Sequence, residues 1–412
     1  TLRAFCTDDR YERLFHTWGR SVHDIAKMIH HRDFTNPPDV VAFPRDEAEV
    51  AAVLDWCGAN GYAAVPFGGG SSVTGGVNHT KDARFKGLVT IDLKHLNKVL
   101  EVDRTSQAAR IQAGVLGPDM ERQLKPTGLT MRFFLQAWEF STLGGWIATR
   151  AAGHYATNYT QIDDHVESLR VVTPAGTIAS HRWPTSGAGP NPDRLFLGSE
   201  GALGIITEAW VRLHKKPTFR SATTVRFDDY EKAVNATRVI SQAGLFPANA
   251  RLLEREEALF TEAGDGTKDV LVLTFESGDH PLDAWMDRAL EICADFGGEW
   301  DKDALEDEES QRKGAAGNWR NKFLRGPLDA RGFGYPRGST ADGGTIDVTA
   351  TFGAAFDDGR GHIVAYAGYR KANEITQAKR DYSPCVLQNS RAGAPICGRT
   401  LTNSSGTAIL FD

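Results

Sequence analysis

The sequence is short of cysteine and empty of long apolar runs. Cys6, Cys57, Cys293, Cys385 and Cys397 are scattered over 412 residues, odd in number and without a C-x-x-C pair. They read as free thiols of a reducing compartment, and a disulfide framework or a zinc site is excluded. No stretch approaches the roughly 20 apolar residues of a membrane-spanning helix. There is no Lys/Arg block, and a net charge of -6 with a pI near 6.1 argues against nucleic acid as the main partner. No internal repeat is visible. The chain opens on Thr1 rather than Met with no signal-peptide pattern, so it reads as trimmed, and a cytoplasmic location is the expectation.

What is present is an ordinary globular composition, 41% hydrophobic and 24% charged, long enough for two to three domains. Its most informative stretch is Pro66-Phe67-Gly68-Gly69-Gly70-Ser71-Ser72-Val73-Thr74-Gly75-Gly76-Val77, which follows a short apolar run. Consecutive glycines allow φ > 0 and remove every Cβ from one surface, so successive N–H groups can converge on one anion, with Ser71 and Ser72 adding hydroxyls. The spacing matches neither G-x-G-x-x-G nor G-x-x-x-x-G-K-[ST], which excludes the Rossmann and Walker loops. Taken alone, the segment is equally compatible with a plain surface turn.

The elements around it are short. Residues 1–37 carry mixed helical periodicity (Tyr11, Leu14, Phe15, Trp18) and four histidines. The adjacent pair His30-His31 points in different directions on a helix, so it reads as solvated or structural rather than metal-binding. A strand at 40–44 leads to a helix capped by Asp46, with Val50, Val53, Leu54 and Cys57 on one face, and a strand at 63–67 delivers the chain into the glycine loop. Strands follow at 88–93, 98–102, 108–113 and 129–133, with a helix at 118–125.

A second glycine-containing stretch runs Gln136-Ala137-Trp138-Glu139-Phe140-Ser141-Thr142-Leu143-Gly144-Gly145-Trp146-Ile147-Ala148-Thr149-Arg150-Ala151-Ala152. Ser141 or Thr142 can cap the helix that follows, with N–H groups at its start turned toward the same anion as the first loop. After a hairpin at 166–179 comes a third stretch, Gly198-Ser199-Glu200-Gly201-Ala202-Leu203-Gly204-Ile205-Ile206, with glycines at every third position before a strand. Such a backbone can press against something flat, or its glycines can simply permit tight packing. From 217 onward, alternating strands and helices in the order β-α-β-β-α suit a separate cap domain. Arg251 sits in its second strand and must find an anion, pair with Glu254 or Glu256, or face water.

With these motifs in order, the chain resembles the alkyldihydroxyacetonephosphate synthases, flavoenzymes of ether-lipid synthesis in the vanillyl-alcohol-oxidase (PCMH-type) FAD superfamily. The likeness covers about residues 8–327. It implies an α+β fold: an N-terminal helical segment (1–37), a PCMH-type FAD-binding domain of two α/β subdomains (38–217), a partial α+β cap domain (218–327), and an atypical tail (328–412).

The resemblance carries Pro66, Phe67, Gly68, Gly69, Gly70, Ser71 and Ser72 onto the segment that holds the FAD diphosphate. The other flavin-contacting segments become Gln136 to Thr142; Thr149, Arg150, Ala151 and Ala152; and Glu200 to Ile206. No His or Cys stands in the loop, so the FAD is implied to be non-covalent. Trp146 and Arg150 match the synthase version of the helix, where the 2-hydroxyacid dehydrogenases read G-G-N-x-A-T-N-A-G-G. Arg251 matches the arginine near the substrate phosphate. The implied reaction exchanges the acyl group of acyl-dihydroxyacetonephosphate for a fatty alcohol through a flavin N5 adduct.

The likeness stops after Pro327. The synthases carry an essential tyrosine and a run of three histidines in their C-terminal part, and neither is found here. The tail is rich in Gly, Thr, Ala and Arg and lacks sustained periodicity, so it reads as disordered or frame-shifted. No catalytic residue is assigned and no metal is expected. Three readings stay open: the synthase, an FAD-linked D-2-hydroxyacid oxidase or dehydrogenase, and an inactive flavin-binding fragment. The expected partner is a small phosphate ester or 2-hydroxyacid; membrane association and a homodimer are left open.

Overall fold

The computed structural model describes residues 2–80, 82–183 and 187–301, and beyond them six strand segments between 345 and 410. Its chain divides into two compact units, Thr1–Arg331 and Gly332–Asp412.

The first unit opens with β1 (Cys6–Thr7), α1 (Arg10–Phe15) and α2 (Val22–Ala26). Both helices are fixed by side-chain caps: Asp9 accepts from Tyr11 N and Glu12 N, and Ser21 and Asp24 form a reciprocal capping box. Next come β2 (Val40–Ala42), α3 (Glu47–Asn60), β3 (Ala63–Phe67) and β4 (Leu88–Asp92). They form a sheet of order β1-β2-β4-β3, with β2 and β3 each parallel to β4. As the spacing predicts, α3 buries Val50, Val53 and Cys57, starts at the Asp46 cap, and stops where Gly61 turns left-handed at φ 74°.

The second sheet has order β5-β6-β10-β8-β9 and is antiparallel throughout. Its strands are β5 (Val99–Asp103), β6 (Ala108–Gln112), β8 (Val166–Thr173), β9 (Gly176–Ala179) and β10 (Ile205–Arg212). Between β6 and β8 the chain makes α4 (Gly117–Leu124), β7 (Leu129–Thr130), α5 (Leu143–Thr149), α6 (Ala156–Tyr159) and α7 (Ile162–His165). The strand expected at 129–133 is only two residues long, because Arg132 takes φ 56° and turns the chain out of the ladder. β11 (His214–Lys215) pairs with β7. A continuous core from Ala42 to Leu213 joins both sheets, with Trp146, Met120, Leu124 and Leu143 almost fully removed from water.

A separate core belongs to β12 (Phe219–Phe227), α8 (Tyr230–Gln242), β13 (Asn249–Leu253), α9 (Arg255–Phe260), β14 (Asp269–Ser277) and α10 (Asp283–Asp295). The strands are antiparallel in order β12-β14-β13, and α8 and α10 cover one face through Ala233, Ala236, Ile240, Met286, Ala289 and Leu290. The element order includes one helix more than expected. α9 is six residues long and buries only Ala258, too little to leave an amphipathic pattern. The α+β class holds.

In the second unit, β15 (Thr345–Ala355) and β16 (His362–Ala372) form an antiparallel pair. Two shorter pairs follow, Val386–Asn389 with Pro395–Gly398 and Thr400–Thr402 with Ala408–Leu410. The reading of the rest of 328–412 as disordered or frame-shifted lies outside the described residues.

Candidate cofactor site

β3 ends at Phe67, and the chain leaves the sheet through Gly68, Gly69 and Gly70. A Cβ on Gly69 would overlap the carbonyl oxygen of Phe140, and one on Gly68 would overlap the Thr142 hydroxyl. Only bare backbone lets the first loop lie directly on the second. The third stretch closes on the same place: Gly201 packs on the ring of Pro66, and a Cβ on Gly76 would meet a Glu200 carboxylate oxygen at 2.6 Å. The three glycine-rich stretches, far apart in sequence, therefore converge.

The donors in this ring are unevenly used. Among the described residues, the N–H groups of Gly68, Gly69, Gly70, Ser71 and Ser72 donate to no protein acceptor. The start of α5 differs from the expectation. Leu143 N donates to Val115 O at 3.1 Å, Gly144 N to Ala113 O at 2.7 Å, and Gly145 N to the Thr142 cap at 3.4 Å. These groups are spent because α5 is pressed against the end of β6, where a Cβ on Gly144 would lie 2.8 Å from that of Ala113. Among the described residues, the consecutive run of unspent donors lies in the first loop and not at the start of α5.

The remaining expected contacts divide by position. Gln136 and Glu139 are exposed around the Trp138–Phe140 turn, and the buried Trp138 Nε1 has no hydrogen-bond partner among the described residues. Ala137 precedes that turn. Ser141 Oγ accepts from the buried Trp146 Nε1 at 2.7 Å. Thr149 Oγ1 donates back to Gly145 O, and Ala151 N to Trp146 O; Ala152 is exposed. Arg150, left-handed at the end of α5, is committed to Asp163, which also holds Arg194 at 2.8 Å. Glu200, Ala202 and Leu203 are exposed. Gly204 abuts Val172, and Ile205 and Ile206 are core residues of β10.

Three features behind and beside this ring left no local signal. First, the buried His16 donates from Nε2 to Asp92 Oδ2 (3.1 Å) and lies 4.4 Å from the Phe67 ring, so α1 supplies the floor beneath the loop. Second, residues 19–24 tie the loop's far end: Arg20 N donates to Ser72 O, Gly19 N to Asn78 Oδ1, and Asn78 Nδ2 to Asp24 Oδ1.

Third, Arg132 binds Glu276 of β14 through two hydrogen bonds, one of them Nε to Oε2 at 2.7 Å, and faces the rings of Tyr155 and Phe134. Burial pulls the Arg132 pKa down, and Glu276 more than offsets this, leaving it raised. Tyr159 donates to the same carboxylate at 3.4 Å. On the same face of this three-stranded sheet, Asn249 reaches His154 at 3.5 Å, and Thr274 Oγ1 is buried without a partner among the described residues. Arg251 shares that face, two residues from Asn249, and is exposed.

Residues 38–181 match the FAD binding domain family, and residues 216–343 match the C-terminal domain of FAD linked oxidases. Over these two segments the chain is similar to FAD-linked oxidases. It is 36% identical over 261 residues to an alkyldihydroxyacetonephosphate synthase of Dictyostelium discoideum, covering 63% of this chain and 42% of that protein. It is 32% identical over 241 residues to a mitochondrial D-lactate dehydrogenase (cytochrome) of Saccharomyces cerevisiae, with 58% and 40% covered. With the glycolate oxidase subunit GlcD of Bacillus subtilis it shares 31% over 302 residues, with 70% and 63% covered. A solved alkyldihydroxyacetonephosphate synthase superposes with a TM-score of 0.69 at 28% identity, covering 85% of this chain and 65% of that one. The chain spans about two fifths of the length of the synthases it matches.

FAD is the cofactor of this fold, and the residues present fit it. Five consecutive unspent N–H groups with the Ser71 hydroxyl in the same loop form a donor-rich stretch suited to a diphosphate. Among the described residues no group of three or more metal-ligating side chains occurs, and no helix is long and apolar enough to cross a membrane.

Proposed function

We propose that this chain carries the flavin site and cap of an alkyldihydroxyacetonephosphate synthase-like enzyme, exchanging the acyl group of acyl-dihydroxyacetonephosphate for a fatty alcohol. The observation that carries the flavin half of this reading is the run of unspent N–H groups from Gly68 to Ser72, with the second and third stretches packed around it. Bound there non-covalently, FAD would supply the nucleophilic and electron-accepting ring chemistry. The protein would hold the diphosphate on the loop and exclude water with the core under α5. Arg251, exposed on the cap face next to Asn249, is the proposed anion contact for a substrate phosphate.

The synthase half rests on identities of 32–36% to three synthases. It also rests on the helix sequence Gly144-Gly145-Trp146, whose indole is locked onto Ser141. The matches to D-lactate dehydrogenases and a glycolate oxidase subunit favour a second reading, oxidation of a D-2-hydroxyacid. Two assays on the flavin-loaded protein decide between them. Incorporation of labelled fatty alcohol into alkyl-dihydroxyacetonephosphate supports the first reading, and anaerobic bleaching of the flavin by D-lactate or glycolate supports the second. If neither occurs while flavin is bound, the chain is a binding fragment.

A further inference from the structure

Arg20 stands apart from the other guanidiniums near the loop. Its backbone N–H donates to Ser72 O at 2.7 Å, which fixes it to the end of the unspent N–H run. Its guanidinium donates only to the carbonyls of Trp18 (3.3 Å) and Gly19 (3.0 Å) and lies 5.6 Å from the Phe15 ring centroid. Phe15 in turn neighbours Phe67, against whose ring Gly70 is packed. Among the described residues, no carboxylate pairs with Arg20.

The nearest acidic group, Asp24, is occupied. Its Oδ2 accepts from Ser21 N and Oγ, and its Oδ1 accepts from Asn78 Nδ2 at 2.9 Å. Among the described residues the half-buried cation thus has no carboxylate in hydrogen-bond contact; burial lowers its pKa, and the charge of Asp24 opposes this.

We infer that Arg20 supplies the positive charge for the phosphate group seated on the Gly68–Ser72 N–H groups, an anion contact contributed from outside the glycine loop. The inference rests on the FAD reading above and names the cation that reading lacks. A neutral amide cradle holds a diphosphate by dipoles; one guanidinium with no carboxylate in hydrogen-bond contact, fixed to its rim, converts this into charge-assisted binding.

The test titrates apo-protein with FAD and with riboflavin, which lacks phosphate, following flavin fluorescence for the full chain and for Arg20→Gln and Arg20→Lys. The expected result is FAD affinity weakened about 10- to 100-fold in Arg20→Gln with riboflavin affinity unchanged, partial rescue by lysine, and a weaker dependence on salt than in the parent. Equal weakening of FAD and riboflavin would mark Arg20 as a structural support and overturn the inference. So would unchanged FAD affinity in a parent protein that binds FAD. If the parent takes up no FAD, the cofactor reading fails and this inference falls with it.

Discussion

Arg132 and Glu276 are 144 residues apart and meet as a bidentate ion pair, with 13% and 7% of their side chains exposed, where the flavin domain meets the three-stranded cap sheet. Arg220 lies 3.6 Å from the same carboxylate, and Tyr159 donates to it. Removing one member of such a pair strands the other in a dry environment. Glu276→Gln and Arg132→Met should each cost about 3–5 kcal/mol in urea unfolding. The double variant Arg132→Met/Glu276→Leu should recover a large part of that loss, since an apolar pair carries no desolvation cost. A loss equal to the sum of the singles would show that the two residues act separately.

The second prediction concerns acid. His214 is pulled down to about 4, by burial and then by neighbouring His165 and Arg212, and buried His165 is lowered too. Their rings lie 5.6 Å apart, with Tyr159 and Phe133 alongside, and His214 Nε2 has no partner among the described residues. A folded pKa below the unfolded value of 6.5 means that the unfolded chain takes up the proton first. Stability is therefore unaffected at high pH and falls as pH drops from about 6.5 toward 4, by up to about 1.4 kcal/mol per pH unit for each imidazole. His214→Phe should flatten the slope in chemical denaturation between pH 7 and 5. An unchanged slope would assign the acid sensitivity elsewhere, for instance to His79, which burial also holds near 4.

Two glycine substitutions should have opposite signs. Gly58 lies inside α3 with nothing within 4 Å of a built Cβ, so Gly58→Ala should stabilise by about 0.5–1 kcal/mol. Gly69→Ala forces the first loop off Phe140 and should destabilise by about 1–3 kcal/mol or more, with flavin retention lost. Paired melts and visible spectra read both effects. A Gly69→Ala protein that melts normally and keeps its flavin would refute the close packing of the loops.

Ser141→Ala leaves the buried Trp146 indole N–H without an acceptor. The cost should be about 1–3 kcal/mol, visible as a lowered urea midpoint at constant slope. Ser141→Thr, which keeps the hydroxyl, should lose less.

Local signals predicted local structure well where a cap and an apolar spacing coincide: α3 starts at Asp46 and buries Val50, Val53 and Cys57, and the strand expected at 63–67 leads into the glycine loop. The same reasoning failed at the start of α5. A capping threonine followed by two glycines reads as an open helix N-terminus, and nothing in residues 141–145 says that Ala113 and Val115 will occupy those N–H groups. The His16–Asp92 pair and the Arg132–Glu276 pair were invisible for the same reason. Each joins residues separated by dozens of positions, and nothing in the sequence next to either residue names the partner. Arg251 was recognisable as unusual in an apolar strand, and the structure adds which face of the sheet it shares.

The FAD binding domain, as matched across its family, begins at residue 38. The floor under Phe67 is His16, and the rim of the loop is tied by Gly19 and Arg20. The matched family domain and the unit that holds its shape in water therefore have different borders. A gene fusion or domain swap cut at the family border would inherit the glycine loop and lose its foundation. Any transplant of this flavin module has to carry the preceding segment with it.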